Sequence, residues 1–248
     1  MQVDLITLFP EMFSALNYGI VGRAQEQEQL RLTYYPIRAY SGRADGRVDN
    51  RPYGGGPGMV MAYPPLVEAI QAAKQAEGCE KTRVIYLSPQ GAPLTHARVL
   101  ALSELPRITL LCGRYEGIDE RVIAHHVDAE YSIGDYTLSG GELPAMVLID
   151  AMVRQLPGVL GHPDSAEHDS FVNGLLDHPH YTRPPEIDGH RVPDVLMGGD
   201  HEAIVRWRRK ESVGKTWQKR SDLLKRLVLD RSTEDLLELY KKEHRNNP

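Results

Sequence analysis

Short apolar runs alternate with amphipathic stretches through the first half of the chain. VDLITLF (Val3 to Phe9), LRLTYYPI (Leu30 to Ile37), RVIYLSP (Arg83 to Pro89), ITLLCG (Ile108 to Gly113) and AEYSIG (Ala129 to Gly134) read as strands. Between them, Pro64 to Ala76 sets Leu66, Ile70 and Ala73 on one face of a helix. THARVLALSEL predicts a helix capped by Thr95, and DERVIAHHV predicts another. GELPAMVLIDAMVRQLP predicts a long apolar helix that starts at about Gly141 and stops before Pro157. Repeated β-then-α order predicts an α/β fold, a mainly parallel sheet with helices on both faces.

From Pro157 to about Gly199 the periodicity vanishes into Pro, Gly, His and Asp, the composition of a linker. Connections of that length without structure are usually functional or disordered. Beyond it stand three helical patterns: HEAIVRWRRKES, a segment around SDLLKRLVL, and TEDLLELYKKEHR with Thr233 as its expected cap. The expected division is a first domain over 1–160, a linker over 161–199 and a small all-helical domain over 200–248.

Size and charge refine this picture. A chain of 248 residues is long enough for one large or two modest domains with a real core. No apolar run approaches the ~18 residues that cross a bilayer. The start, strand-like VDLITLF, carries no export signal. Two cysteines, Cys79 and Cys112, are too few for a disulfide framework, so a reduced, cytoplasmic protein is expected. The net charge of −5 hides an asymmetry. Residues 200–248 hold 13 Lys and Arg against nine Asp and Glu, a net of +4, which leaves −9 on residues 1–199. Arg206 to Arg226 alone holds nine basic residues against Glu211 and Asp222, with Trp207 and Trp217 interleaved. Such a stripe is either a solvated helical face or a surface for phosphate and stacked bases.

The candidate chemistry sits in glycine-punctuated loops. LLCGRYEGIDERV (Leu110 to Val122) and YSIGDYTLSGGELPAM (Tyr131 to Met146) each leave a strand-like run. Glycine lets backbone turn through positive φ and lets a ligand approach the main chain. Two such loops at strand ends predict one crevice for a small cofactor. A third loop, Ser41 to Met59, has six glycines with Arg43, Arg47 and Arg51, but it is neither a Walker loop nor a dinucleotide fingerprint. It reads as a mobile surface loop or as one that closes on phosphate. Asp169 reads as a helix N-cap or a general base, and Arg154 as an exposed helix-end cation or an oxyanion stabiliser. The ten histidines are poorly arranged for metal, with His178 and His180 flanking Pro179 and His125 and His126 adjacent on a helix. No metal site is expected from them.

The wording of the two loops, together with LITLFPEMF at the start, RPYGGGPGM (Arg51 to Met59) and DSFVNGLLDHPHYTRP (Asp169 to Pro184), resembles the bacterial tRNA (guanine-N1)-methyltransferases, the TrmD family of the knotted SPOUT superfamily. The resemblance runs almost the whole chain. It implies a trefoil-knotted site for S-adenosylmethionine, wrapped by Leu87, Ser88, Pro89, Gly113, Tyr115, Glu116, Gly117, Ile133, Gly134, Leu138, Gly140 and Gly141. It implies methyl transfer to N1 of the guanosine immediately 3′ of the tRNA anticodon, preferring a guanosine before it, with Asp169 as base and Arg154 as oxygen stabiliser. The glycine loop would contact tRNA, and the helical domain would grip the anticodon stem. A homodimer with composite sites is implied, and Mg²⁺ is possible, with Glu116 serving it or guanine recognition. The linker stretch HPDSAEH before Asp169 does not align residue by residue. Two other readings stay open: a ribose 2′-O-methyltransferase of the same superfamily, and a non-catalytic RNA-binding module.

Overall fold

A computed structural model describes residues 1–76, 82–161 and 169–245. Cys79 and the HPDSAEH stretch lie outside the described residues. The chain forms two compact units, Met1–His162 and Pro163–Pro248.

The first unit is built on a five-stranded, wholly parallel sheet of β1 (Gln2–Thr7), β2 (Arg31–Pro36), β5 (Arg83–Pro93), β6 (Arg107–Cys112) and β7 (Ala129–Ser132), in the order β2-β1-β6-β5-β7. The strand period of two divides the side chains between two cores. Val3 and Leu5, Ile85 and Leu87, and Ile108, Leu110 and Cys112 face one side. There they meet α1 (Gly19–Glu26), α3 (His96–Ser103) and α5 (Glu142–Val153). Ile6, Val84, Tyr86 and Leu111 face the other, against α2 (Tyr63–Gln75) and α4 (Glu120–His126). Helices on both faces force each strand to be apolar throughout, which explains the continuous runs in the sequence. The short pair β3 (Asp49–Asn50) and β4 (Val60–Met61) closes the base of the glycine-rich loop. At the sheet's lower end Asp4 is fully buried and takes a bidentate bond from Arg107 at 2.7 and 3.1 Å.

Several boundaries differ from expectation. Sequence periodicity gives no element between Phe9 and Leu30, where the structure has a 3₁₀ segment (Pro10–Asn17) and α1. Gly19 and Gly22 weaken the helical signal there. A Cβ on Gly22 would stand 2.3 Å from the Asn17 carbonyl oxygen, so close packing explains that glycine. Thr95 occupies the N-cap of α3, but its side chain makes no capping bond.

From Asp169 the second unit runs as irregular chain into a hairpin of β8 (Glu186–Ile187) and β9 (His190–Arg191). It ends in α6 (His201–Lys219), α7 (Ser221–Leu224) and α8 (Arg231–His244). Val213 of α6 and Leu236 and Leu237 of α8 form its core. Gly214 sits where a Cβ would lie 2.2 Å from the Tyr240 ring, so α6 and α8 cross at a glycine. SDLLKRLVL yields only the single turn of α7. The cap of α8 is Asp230, whose carboxylate accepts from the Thr233 amide at 2.8 Å, so Thr233 is a buried residue inside the helix rather than its cap.

Candidate active site

The carboxyl edge of the parallel sheet opens into a cavity of about 340 Å³. Three segments line it, and all twelve positions expected to hold a cofactor are among them. Leu87, Ser88 and Pro89 come from β5, where the pairing with β7 slips between Leu87 and Ala92. A bulge of this kind re-aims the chain. It carries Ser88 to Gly91 out of the ladder, and the strand then resumes to Pro93, beyond the end the sequence predicts at Pro89. Gly91 has no room for a side chain, since a Cβ would lie 2.4 Å from the Tyr131 amide nitrogen.

The second segment, Gly113 to Gly117, leaves β6 and lies along β4. The Glu116 amide donates to the Met59 carbonyl, the Met61 amide to the Gly117 carbonyl, and the Asp119 amide to the Met61 carbonyl, each at 3.0 Å. Tyr115 takes a left-handed backbone (φ 62°) and Gly117 a φ of 128°. A strained non-glycine residue such as Tyr115 persists only where its surroundings over-determine it, and such residues cluster at ligand sites. The Glu116 side chain covers Gly58, where a Cβ would stand 2.4 Å from its Cγ.

The third segment supplies Ile133, Gly134, Leu138, Gly140 and Gly141. Ser132 Oγ accepts from the Gly134 amide at 3.2 Å and fixes its turn. The Gly141 amide donates to the Gly113 carbonyl at 2.9 Å, and Gly140 bridges Arg114 in antiparallel fashion, so the two glycine loops are bonded to each other.

Beneath them lies a charged network that sequence reasoning missed. Glu142, with a fully buried side chain, accepts from Arg114 Nε at 2.9 Å and from Thr7 Oγ1 at 2.8 Å. Arg114 also donates to the Ser139 carbonyl at 3.2 Å and lies over the Phe9 ring at 4.7 Å. One carboxylate thereby ties the first loop, the end of the second and the tip of β1. The available signal was an acidic residue opening an otherwise apolar helix. Burial raises the Tyr86 phenol to about 12, with Glu130 adding to the rise, and burial pushes the Cys112 thiol up, so this cysteine is a core residue and not a nucleophile.

A family model described as tRNA (Guanine-1)-methyltransferase TrmD matches residues 1–226. A Coxiella burnetii protein named tRNA (guanine-N(1)-)-methyltransferase is 57% identical over 241 residues, 97% of this chain and 98% of its own. Proteins of the same name from Pseudomonas putida (57% over 244 residues, 98% and 97%) and Idiomarina loihiensis (58% over 238 residues, 96% and 94%) match as fully. The chain belongs to the TrmD family.

For a TrmD family member the two expected chemical residues fall in different units. Arg154, in the first unit, is the C-cap of α5, its amide bonded to the Asp150 carbonyl at 3.3 Å. Asp169, in the second, opens a turn in which the Val172 amide reaches its carbonyl at 3.4 Å and Phe171 has φ 78°. No helix follows Asp169, so it is not a helix cap. Asp169 lines a second cavity, of about 700 Å³, with Arg208 and Arg209 of α6. Of the basic stripe, Arg206 and Arg208 are exposed; Arg209 pairs with Asp230, Lys210 with Glu243, and Arg220 with Asp222. Trp207 packs near Tyr181 and His178, while Trp217 lies under Lys241 at 5.6 Å.

Proposed function

We propose that this protein transfers a methyl group from S-adenosylmethionine to N1 of the guanosine immediately 3′ of the anticodon in tRNA, preferring a guanosine before it. The observation that carries the reading is the assembly of all twelve family-matched positions around one cavity at the carboxyl edge of the sheet. The residues present fit the cofactor. The volume lies within the ordinary range for ligand pockets, and the lining combines glycine backbone with Leu87, Ile118, Ile133 and Leu138 for a flat base and Ser88, Gln90 and Ser132 for polar groups. When bound, the cofactor supplies an electrophilic methyl on a sulfonium.

The chain's own residues do the rest. Asp169 takes the proton of guanine N1, a contribution typically worth ~10²–10⁴ in rate. Arg154 holds the negative charge that gathers on the neighbouring oxygen. Glu116, at the cavity wall, serves guanine or a Mg²⁺ ion. A trefoil knot in the cofactor loops belongs to this reading, as membership of the family implies. So does a cytoplasmic homodimer in which the cofactor loops of one subunit meet the Asp169-bearing segment of the other. Its support is the face of α5 that carries Leu143 and Val147, 45% and 49% exposed, on the helical spacing that leads to Arg154. No helix among the described residues is long and apolar enough to cross a membrane.

The test is methyl transfer from labelled S-adenosylmethionine to two tRNA transcripts, with and without guanosine as the last anticodon base. Label only in the first, mapped to guanine N1 and abolished by Asp169→Ala, is expected. Label on a ribose, surviving Asp169→Ala, would install the 2′-hydroxyl reading. RNA binding without label in either transcript would leave a binding module.

A further inference from the structure

The irregular chain before the hairpin gathers three side chains whose sequence spacing reads as unsuited to metal. A carboxylate oxygen of Asp177 and one ring nitrogen each of His178 and His180 all lie within 4.8 Å of one another. We propose that Asp177, His178 and His180 form a binding site for a divalent transition cation of the zinc type. This assignment is independent of the methyl-transfer reading.

The tautomer of His178 is the decisive detail. Its Nδ1 stands 3.1 Å from the Pro179 carbonyl oxygen, which can only accept, so Nδ1 carries the proton. Nε2 is then a lone-pair donor, and the structure sets it 3.7 Å from Asp177 Oδ1. That is too long for a hydrogen bond. It is close to the ~3.3 Å between two ligands of a tetrahedral zinc with bonds of about 2.0–2.1 Å. Metal-bound histidines characteristically hold their other nitrogen on a carbonyl or carboxylate in this way. His180 Nε2 stands 2.8 Å from Asp177 Oδ2, so the third donor already faces the same carboxylate.

The platform is held in place before any ion arrives. The Asp177 amide donates to Ser170 Oγ at 3.0 Å, and the Leu176 amide to Thr216 Oγ1 of α6 at 2.8 Å. The His178 ring lies 4.4 Å from that of His180 and 6.3 Å from that of Trp207. All three ligands line the second cavity. Two imidazoles and one carboxylate select zinc, cobalt or nickel over magnesium.

The full-length protein, stripped with chelator and dialysed, is titrated with Zn²⁺ alone by calorimetry and with Co²⁺ followed by its visible absorption and by quenching of Trp207. One equivalent is expected to bind. Asp177→Asn, His178→Gln and His180→Gln are each expected to weaken binding at least tenfold, while His201→Gln, on α6 and outside the cluster, changes nothing. His178→Gln removes a ligand without breaking the His180–Asp177 contact, so it tests the site even if the other variants misfold. Absence of saturable binding, binding that survives all three substitutions, or equal binding of Mg²⁺ would each overturn the proposal.

Discussion

Removing the Glu142 carboxylate tests whether the buried network holds the two cofactor loops. In Glu142→Ala the Arg114 guanidinium, only 15% exposed, loses its anionic partner, and Thr7 Oγ1 loses an acceptor. Breaking a buried pair by deleting one partner costs roughly 3–5 kcal/mol. Arg114 keeps the Ser139 carbonyl and the Phe9 ring, which places the expected loss at the lower end, about 3 kcal/mol. Glu142→Gln should cost less, about 1–2 kcal/mol, because its oxygen can still accept from Arg114 and its amide can donate to Thr7, exchanging a charged bond for neutral ones. Arg114→Met in the Glu142→Ala background removes the stranded charge, so the double variant should be less destabilised than the sum of the singles by about 2 kcal/mol. Urea unfolding must be followed by far-UV circular dichroism, since Trp207 and Trp217 both belong to the second unit and report on that one. S-adenosylmethionine affinity should fall in the same order, Ala below Gln. Strictly additive losses, or Glu142→Ala within about 1 kcal/mol of the parent, would refute the argument.

Two further outcomes follow from the same region. Gly141→Ala would set a Cβ 2.8 Å from the Cys112 Cα and 3.1 Å from the Gly113 nitrogen, both backbone atoms that cannot swing away, so cofactor affinity measured by calorimetry should drop at least about tenfold while α5 still folds. Tyr86 is raised to about 12, so its contribution to stability is fully present below the ordinary tyrosine value and is lost as pH rises from about 10 through 12. Tyr86→Phe should flatten that alkaline limb of the stability curve and remove one late-ionising phenol from the ultraviolet titration; an unchanged limb would contradict the burial argument.

The sheet was legible because a strand covered on both faces has no polar alternation to obscure it: RVIYLSP and ITLLCG could be little else. Its order was not, since apolar runs carry no record of which neighbour they pair with. The bulge at Ser88–Gly91 escaped because a strand that leaves and rejoins its ladder reads as a strand that has ended. Thr233 looked like a cap because threonine often is one; Asp230, three residues earlier, wins with an ionised acceptor. That the two glycine loops meet at one cavity was legible through their wording, whereas the pairing of Arg114 with Glu142 was not, because a buried ion pair looks in sequence like two surface charges. His178 and His180 read as unsuited to metal on spacing alone; the fold brings one ring nitrogen of each and an Asp177 oxygen within 4.8 Å of one another.

The strip of hydrogen bonds joining Met59 and Met61 to Glu116, Gly117 and Asp119 has a thermodynamic corollary. The glycine-rich loop and the first cofactor loop share one set of backbone bonds, so ordering either reduces the entropy still to be lost by the other. A ligand that orders the first cofactor loop therefore lowers the entropy that a ligand on the glycine-rich loop has still to lose, and any linkage between the two runs equally in both directions. Whatever factor the methyl donor adds to the affinity of the second ligand, that ligand must return to the methyl donor.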